Sequence, residues 1–230
     1  MELYEHSRQL LLQVKLQQPT EETTAVLAGW PLSRLRSELA ADDCKKAFWI
    51  NVYNAFFLIL RRDQGMQKPA VFRERCIVVA GDRFSLDEIE HGILRRCRWK
   101  WSLGYLPDPL ARPLVRSLAV SATDPRIHFA LNCGAKSCPP IGFYHPDRLD
   151  QQLDLATASF LESETEIDET SGEVRVTRLF LWYGGDFGGR KGIRRLLEKY
   201  LHARTTGKTL VFRPYDRSEV LEDIWRAPVY

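Results

Sequence analysis

A run of apolar residues at positions 47–60 limits the folds that this chain can adopt. It lies in a helix predicted from about residue 42 to residue 62, and between 48 and 60 apolar side chains occupy nearly every face. A helix of this kind must be surrounded by protein, so we predict a domain built around one buried central helix. The run has fourteen residues and is interrupted by Asn51 and Asn54, whereas a membrane-spanning helix needs about twenty. We therefore expect no membrane-spanning segment and no membrane partner.

The other predicted elements are mostly helices, with a few strands. Apolar residues at helical spacing predict helices at 2–17, 21–28, 31–39, 85–97, 146–164 and 190–202. Strands are predicted at 75–80, 126–131, 173–176 and 210–213. Because the strands are few and far apart in the sequence, we expect an α+β fold, a single and predominantly helical domain with a small, mainly antiparallel sheet. Residues 1–40 are predicted to form a helical extension packed on a domain of residues 41–230.

Composition and charge argue against several classes of function. A hydrophobic content of 44% and a charged content of 27% are typical of a soluble globular protein. The net charge of +3 and the lack of a long Lys/Arg run argue against a nucleic-acid partner. The N-terminal residues lack a basic start followed by an apolar core, so we expect no signal peptide and a cytoplasmic location. The five cysteines are an odd number without zinc-ribbon spacing, which favours the reduced state.

The stretch RIHFALNCGAKSCPPI at 126–141 concentrates reactive side chains. The alternation over 126–131 predicts a half-buried strand, with His128 facing away from the apolar side. Gly134 then breaks the extended pattern, and the Ser and Pro residues at 137–140 predict a turn leading towards a helix. Cys138 is expected at that turn, where free backbone N–H groups favour a thiolate. Cys133 lies five residues earlier.

Two asparagines are predicted on one face of the central helix, because Asn51 and Asn54 are three residues apart. A buried amide without partners costs about 1–3 kcal/mol, so both must be hydrogen-bonded. Either they fix a loop to the central helix, or they orient a catalytic His or a substrate. Both interpretations place a polar group next to them inside the protein.

The segment SLDEIEHGILRRC at 85–97 predicts a helix that begins with a capping box formed by Ser85 and Glu88. Its apolar stripe includes the position of Glu90, which is therefore predicted to point inwards, while His91 lies on the flank. A buried carboxylate must be paired, hydrogen-bonded or protonated. An internal salt bridge, acid–base or His-orienting chemistry, and a metal ligand all remain open for Glu90.

Four blocks of the sequence carry a resemblance to a known family. They are FWINVYN at 48–54, SLDEIEHGILR at 85–95, RIHFALNCGAKSCPPI at 126–141 and LFLWYGGDFG at 179–188. In this order they resemble the bacterial and plant family known as domain of unknown function 547. The resemblance implies a choice of site residues but no particular reaction. The site residues that it implies are Asn51, Asn54, Glu90, His91, His128, Cys133, Cys138 and Asp186.

The favoured hypothesis is a cysteine-dependent hydrolase or acyl transferase that acts on a small molecule or peptide without a cofactor. A thiol nucleophile needs a base within hydrogen-bond reach and a third group that orients the base. Cys133 or Cys138 would be the nucleophile and His128 or His91 the base. The candidate orienting groups are Glu90, Asn51, Asn54 and Asp186.

Three alternatives remain. The first is thiol redox chemistry at Cys133 and Cys138, although their C-x4-C spacing differs from the usual C-x-x-C. The second is a zinc site made of His128, the two cysteines and either Glu90 or His91. The third is a non-catalytic binding or scaffold module, in which both cysteines are small buried hydrophobic residues.

Overall fold

Helix α4 (Asp42–Leu58) lies at the centre of the fold. In the computed structural model, which describes residues 2–219, every residue of α4 from Ala47 to Leu58 is buried. The helix continues as a π-helical turn, Ile59–Asp63. The prediction of a buried central helix is therefore confirmed, and the polar exceptions Asn51 and Asn54 are fully buried as well.

Helix α1 (Glu2–Lys15) packs on α4, and α2 (Glu21–Gly29) packs on α1, while α3 (Leu32–Glu38) adds Leu35 to the same hydrophobic cluster. The apolar face of α1 is fully buried, as its spacing predicts, through Leu3, Leu10, Leu11 and Val14. These side chains belong to the same hydrophobic cluster as α4. The boundary near residue 40 stays a prediction, and the end of the predicted domain, 220–230, lies outside the described residues.

Strands are few, as expected for an α+β fold that is about 53% helix and 10% strand. Strands β1 (Ile77–Val79) and β2 (Asp82–Phe84) form an antiparallel hairpin. A second sheet has the order β3–β4–β5, from Glu166–Asp168, Glu173–Val176 and Thr209–Phe212. In it β3 pairs antiparallel with β4, while β4 pairs parallel with β5. The sequence predicted one small sheet, whereas the described residues form two.

A second hydrophobic cluster lies beside this sheet. It is formed by β4, β5 and the helices α7 (Leu149–Glu164), α8 (Leu179–Trp182) and α9 (Gly189–Leu201). The short helices α5 (Ala70–Arg73) and α6 (Pro113–Leu118) contribute instead to the cluster around α4. Phe129 inserts into this cluster, with its ring centroid 5.1 Å from that of Phe160 and 5.7 Å from that of Phe187. The neighbouring Ile127 is buried in the cluster around α4. The chain at 127–129 therefore lies between two hydrophobic cores.

The predicted strand at 126–131 is wrong, because this segment forms a 3₁₀ helix, Pro125–Phe129. Pro125 suits a first helical position, and the carboxylate of Asp124 accepts the N–H of Arg126 at 3.1 Å. Ile127 and Phe129 face different cores, and their spacing in the sequence therefore imitates the alternation of buried residues in a strand. His128 does not face away from apolar surroundings but is buried between the cores.

The turn at 135–138 is also not followed directly by a helix. Residues 139–145 are irregular, and the next helical turn is the 3₁₀ helix Pro146–Arg148. Within residues 2–219, no helix combines the length and the apolar character needed to cross a membrane.

The helix predicted at 85–97 begins with the expected capping box. Ser85 Oγ accepts the N–H of Glu88 at 3.1 Å, and the Glu88 carboxylate accepts the N–H of Ser85 at 3.2 Å. From Glu88 to Leu94 the helix is π-helical, with one extra residue in the hydrogen-bonded turn. The N–H of Arg95 accordingly reaches back five residues to the carbonyl of Glu90, at 2.9 Å.

The capping box gives a first prediction. We expect Ser85→Ala to lower the free energy of unfolding by about 1 kcal/mol, because the N–H of Glu88 loses its acceptor in a buried position. Ser37→Ala is the matched control, since Ser37 is exposed and bonds only within its own helix, to the carbonyl of Arg34. Urea denaturation of the two variants measures both effects. Equal stabilities would contradict the role of the capping box.

Candidate functional site

His128 is held by Asp186, which follows α8 in the chain. Its Nε2 lies 2.8 Å from Asp186 Oδ2, and its ring stacks on that of Tyr183 with 3.8 Å between centroids. Burial lowers the pKa of His128, more strongly than the bond to Asp186 raises it. The ring is therefore a neutral imidazole that donates its Nε2–H to Asp186. Its Nδ1 makes no hydrogen bond to any residue that the structure describes and remains an acceptor.

Asp186 is fixed from its other side by Arg95. The two side chains are fully buried, and Arg95 Nε and Nη2 lie 2.5 and 3.3 Å from the two carboxylate oxygens. Burial raises the pKa of Asp186, but hydrogen bonds from His128 and Arg95 outweigh this effect and the net shift is downward. Gly104 covers the carboxylate with a φ of 83°, and a Cβ there would lie 2.4 Å from Asp186 Oδ1. Glycine is therefore needed at this position.

Glu90 points inwards as predicted, from the π-helical segment. Its carboxylate accepts the hydroxyl of Tyr183 at 2.8 Å and that of Tyr53, on α4, at 3.4 Å. Burial raises the pKa of Glu90, but the nearby charge of Arg95 and the hydrogen bond from Tyr183 help to lower it overall. Glu90 is therefore an ionised carboxylate, and Tyr183 links it to the ring of His128.

His91 belongs to the same polar network but faces Arg95. Arg95 Nη1 donates to His91 Nδ1 at 2.7 Å, and His91 Nε2 lies 3.6 Å from the carboxylate of Asp87. Burial lowers the pKa of His91, so this ring is also neutral. His91 does not line the cavity that holds the cysteines, whereas His128 does.

The two cysteines lie in a loop that Asn132 closes. Asn132 Oδ1 accepts the N–H of Gly134 at 2.7 Å, and its Nδ2 donates to the carbonyl of Pro139 at 2.6 Å. This closure brings the N–H of Cys133 to 3.1 Å from Cys138 Sγ. The loop therefore places the two side chains next to each other without a helix.

The two thiols have opposite acidities. A hydrogen bond from the Cys138 thiol lowers the pKa of Cys133 to about 6, although burial opposes it, and the Tyr215 hydroxyl and the backbone of Ala135 contribute further. Burial and the neighbouring Cys133 raise the pKa of Cys138 well above its usual value. Tyr215 lies 3.6 Å from Cys133 Sγ and 3.2 Å from Cys138 Sγ. Of the two thiols, Cys133 is therefore the one that loses its proton more readily.

A small cavity of about 50 Å³ joins the thiols to the buried network. Its polar walls are Tyr53, Glu90, His128, Cys133, Cys138, Tyr183 and Tyr215. Among the described residues, no hydrogen bond joins either thiol directly to His128. The cavity is therefore lined both by the two cysteines and by His128.

Asn51 and Asn54 fix the chain on either side of the cysteine loop. Asn54 Nδ2 donates to the carbonyl of Ala130 at 2.9 Å, and its Oδ1 accepts the N–H of Asn132 at 3.0 Å. Asn51 makes the same pair of bonds to the N–H and carbonyl of Tyr144, both at 3.0 Å. Of the two interpretations of these amides, fixing a loop to the central helix is the one that these contacts match.

Sequence reasoning missed five residues of the network, although all of them except Tyr215 lie within the four blocks of resemblance. They are Arg95, Tyr53, Tyr183, Asn132 and Tyr215. Arg95 is one of many arginines in the chain. The sequence pattern around the three tyrosines is that of ordinary core or loop residues. Asn132 lies within the cysteine stretch, and its position between the strand-like and turn-like patterns is consistent with a loop-closing role.

As for zinc, no group of three or more His, Cys, Asp or Glu side chains within residues 2–219 is arranged to hold a metal ion.

Fold and site together define an α+β protein with a half-buried pair of thiols beside a buried His–Asp–Arg network. Residues 37–161 match the family described as "Protein of unknown function, DUF547", which is more than half of the chain, and the protein belongs to this family. The match contains Glu90, His128 and both cysteines but ends before Asp186. Searches of curated proteins and of solved structures gave no match.

The asparagine contacts give a second prediction. Asn54→Ala leaves the carbonyl of Ala130 and the N–H of Asn132 without partners, so we expect it to lower the free energy of unfolding by about 2 kcal/mol or more. Because Asn132 closes the cysteine loop, the pKa of Cys133 should also rise. Asn51→Ala is the matched control, since it loses the same two kinds of bond at Tyr144, outside that loop. Chemical denaturation measures the loss of stability, and thiol titration measures the pKa of Cys133. An equal shift of this pKa in the two variants would contradict a specific role of Asn54 in the cysteine loop.

Proposed function

We propose that the protein is a cysteine-dependent hydrolase or acyl transferase in which Cys133 is the nucleophile and His128 the base. One observation carries this proposal: a single cavity is lined by a thiol with a pKa of about 6 and by a buried imidazole whose Nδ1 bonds to no described residue. A thiolate is the reactive form of cysteine at neutral pH. Asp186, through its bond to Nε2, keeps the imidazole in the tautomer whose Nδ1 can accept a proton.

The reaction proceeds in two steps. The Cys133 thiolate attacks the carbonyl carbon of an acyl group, the C–S bond forms, and the leaving group departs with its bonding electrons. His128 Nδ1 then takes a proton from water or from an acceptor alcohol or thiol, whose oxygen or sulfur attacks the thioester and releases Cys133. Water gives hydrolysis and another acceptor gives acyl transfer.

The protonation state of His128 indicates the substrate class. An amine leaving group must be protonated as it departs, but a neutral imidazole with its proton directed at Asp186 has none to give. Thioesters and activated esters have leaving groups that depart as anions. We therefore infer that the substrate is an ester or thioester of a small acyl group.

Thiol alkylation gives a third prediction. The reaction of Cys133 with iodoacetamide should rise with pH through an apparent pKa of about 6 and then level off, because the thiolate is already formed above that pH. Cys138→Ala removes the largest stabilising contact and should raise the apparent pKa towards the ~8.5 of a free thiol. Peptide mass spectrometry follows each cysteine separately. Cys44, which lies outside the cavity, is the internal control.

A fourth prediction tests the base. With p-nitrophenyl acetate or an acetyl thioester, His128→Ala should still be acylated at Cys133 but should release the acyl group about a hundredfold more slowly or worse. Intact mass spectrometry then detects an accumulated acyl-enzyme. Cys133→Ala should form none, whereas Cys44→Ala should behave as the wild type. The proposal fails if neither kind of ester acylates the wild-type protein.

The contact between the thiols favours one second candidate, which is thiol redox chemistry. Oxidised glutathione would take two electrons from the Cys133 thiolate and the Cys138 thiol and leave a disulfide between them. It would be released as two glutathione thiols, one protonated by Cys138 and the other by water. That candidate predicts a cross-linked peptide that dithiothreitol reverses, together with no acylation at Cys133. An acyl-enzyme without cross-linking supports the hydrolase or transferase.

A further inference from the structure

Exposed apolar side chains are concentrated in one loop, residues 99–110. Of the nine large hydrophobic side chains that are exposed in the described part of the chain, six lie in this loop. They are Trp99, Trp101, Leu103, Tyr105, Leu106 and Leu110, with exposed fractions from 42% to 88%. Leu16, Val26 and Leu155 are the other three and lie apart, in the turn after α1, in α2 and in α7. Single exposed hydrophobic residues are normal, but a cluster of this kind indicates a contact surface.

The backbone of loop 99–110 is fixed by its own hydrogen bonds. The N–H of Trp99 donates to the carbonyl of Leu106 at 2.9 Å, and Ser102 Oγ accepts the N–H of Leu106 at 3.1 Å. The carbonyl of Leu103, at the tip, accepts the N–H of Gly185 at 2.8 Å, which attaches the loop to the chain beside Asp186. The apolar side chains are therefore presented outwards by an ordered backbone.

The same backbone has few polar groups that need an outside partner. Arg116 donates to the carbonyls of Asp108, Pro109 and Ala111 at 2.7, 3.1 and 2.9 Å. The N–H of Leu110 bonds to the Asp108 side chain, and prolines 107 and 109 have no N–H. A lipid phase offers no hydrogen-bond partners, so each backbone group that is already paired within the protein lowers the cost of bringing the loop into it.

The charges around the loop are mostly positive. Between residues 96 and 116 the basic side chains are Arg96, Arg98, Lys100, Arg112 and Arg116, and Asp108 is the acidic one. Lys100 pairs with Asp87 and Arg112 with Glu88. The other three arginines form no ion pair with any residue that the structure describes. This imbalance complements an anionic surface.

We propose that loop 99–110 docks the protein peripherally on an anionic lipid surface. Trp and Tyr favour the boundary between lipid and water, and Leu side chains beside them add buried apolar area. The proposal departs from the prediction that no membrane is a partner, which rested on the lack of a spanning segment. It is independent of the proposed function, because none of these side chains takes part in the acyl chemistry.

The test compares vesicles of phosphatidylcholine with vesicles of phosphatidylcholine and phosphatidylglycerol. We expect the full chain to co-sediment with the anionic vesicles and only weakly with the neutral ones, and added salt should release it. The double variant Trp101→Ser/Leu110→Ser should reduce binding about tenfold or more, because two large apolar side chains are lost. The matched control is Leu155→Ser, which removes a side chain that is 72% exposed on α7, outside the loop.

Thermal melts establish that the variants are folded, which their exposed positions lead us to expect. No binding to either vesicle type, or binding that the double variant leaves unchanged, would overturn the proposal. Equal binding to both vesicle types would overturn its electrostatic part. A wild-type dimer that the double variant converts to a monomer, without vesicle binding, would instead identify the loop as an interface between two copies of the chain.

Discussion

The buried ion pair between Arg95 and Asp186 is the contact on which the site depends. Both side chains have lost their water, and removing one partner of such a pair typically costs about 3–5 kcal/mol because the other is left as a buried charge. Here Asp186 accepts from both Arg95 and His128, so its oxygens have partners on two sides. The pair also connects the π-helical segment with the end of α8. It therefore links the part of the chain that matches the family with a part that follows it.

The π-helical turn sets the order of the side chains around this pair. One extra residue per turn brings Arg95 under the carbonyl of Glu90, and both side chains reach the interior from one helix. An α-helix has fewer residues per turn than a π-helix, so in a regular α-helix Arg95 would be rotated further around the axis, away from the face of Glu90. His91 fills the flank and accepts from Arg95, which leaves His128 as the imidazole in contact with the cavity.

The sequence predicted the features that depend on neighbouring residues and missed those that depend on residues far apart in the chain. Helix α4, the capping box at Ser85 and the inward direction of Glu90 follow from local periodicity and were predicted correctly. The 3₁₀ helix around His128 was mistaken for a strand, because a residue pair facing two different cores imitates alternation. The roles of Arg95 and Tyr215 were missed, since they come from partners 91 and 77 residues away in the chain.

Tyr215 forms part of the cavity wall and also contacts both thiols. It lies over both sulfur atoms, in a segment that pairs with the cysteine loop through the bond from the N–H of Lys136 to the carbonyl of Ser218. A cavity of about 50 Å³ admits little more than a few water molecules, so in the proposed reaction an acyl group would enter only if a lining side chain such as Tyr215 moved. Displacement removes one hydrogen bond that keeps the pKa of Cys133 low, but the larger contribution comes from Cys138. In the proposed reaction Cys133 therefore remains a thiolate when the cavity opens, because its main partner is the neighbouring thiol.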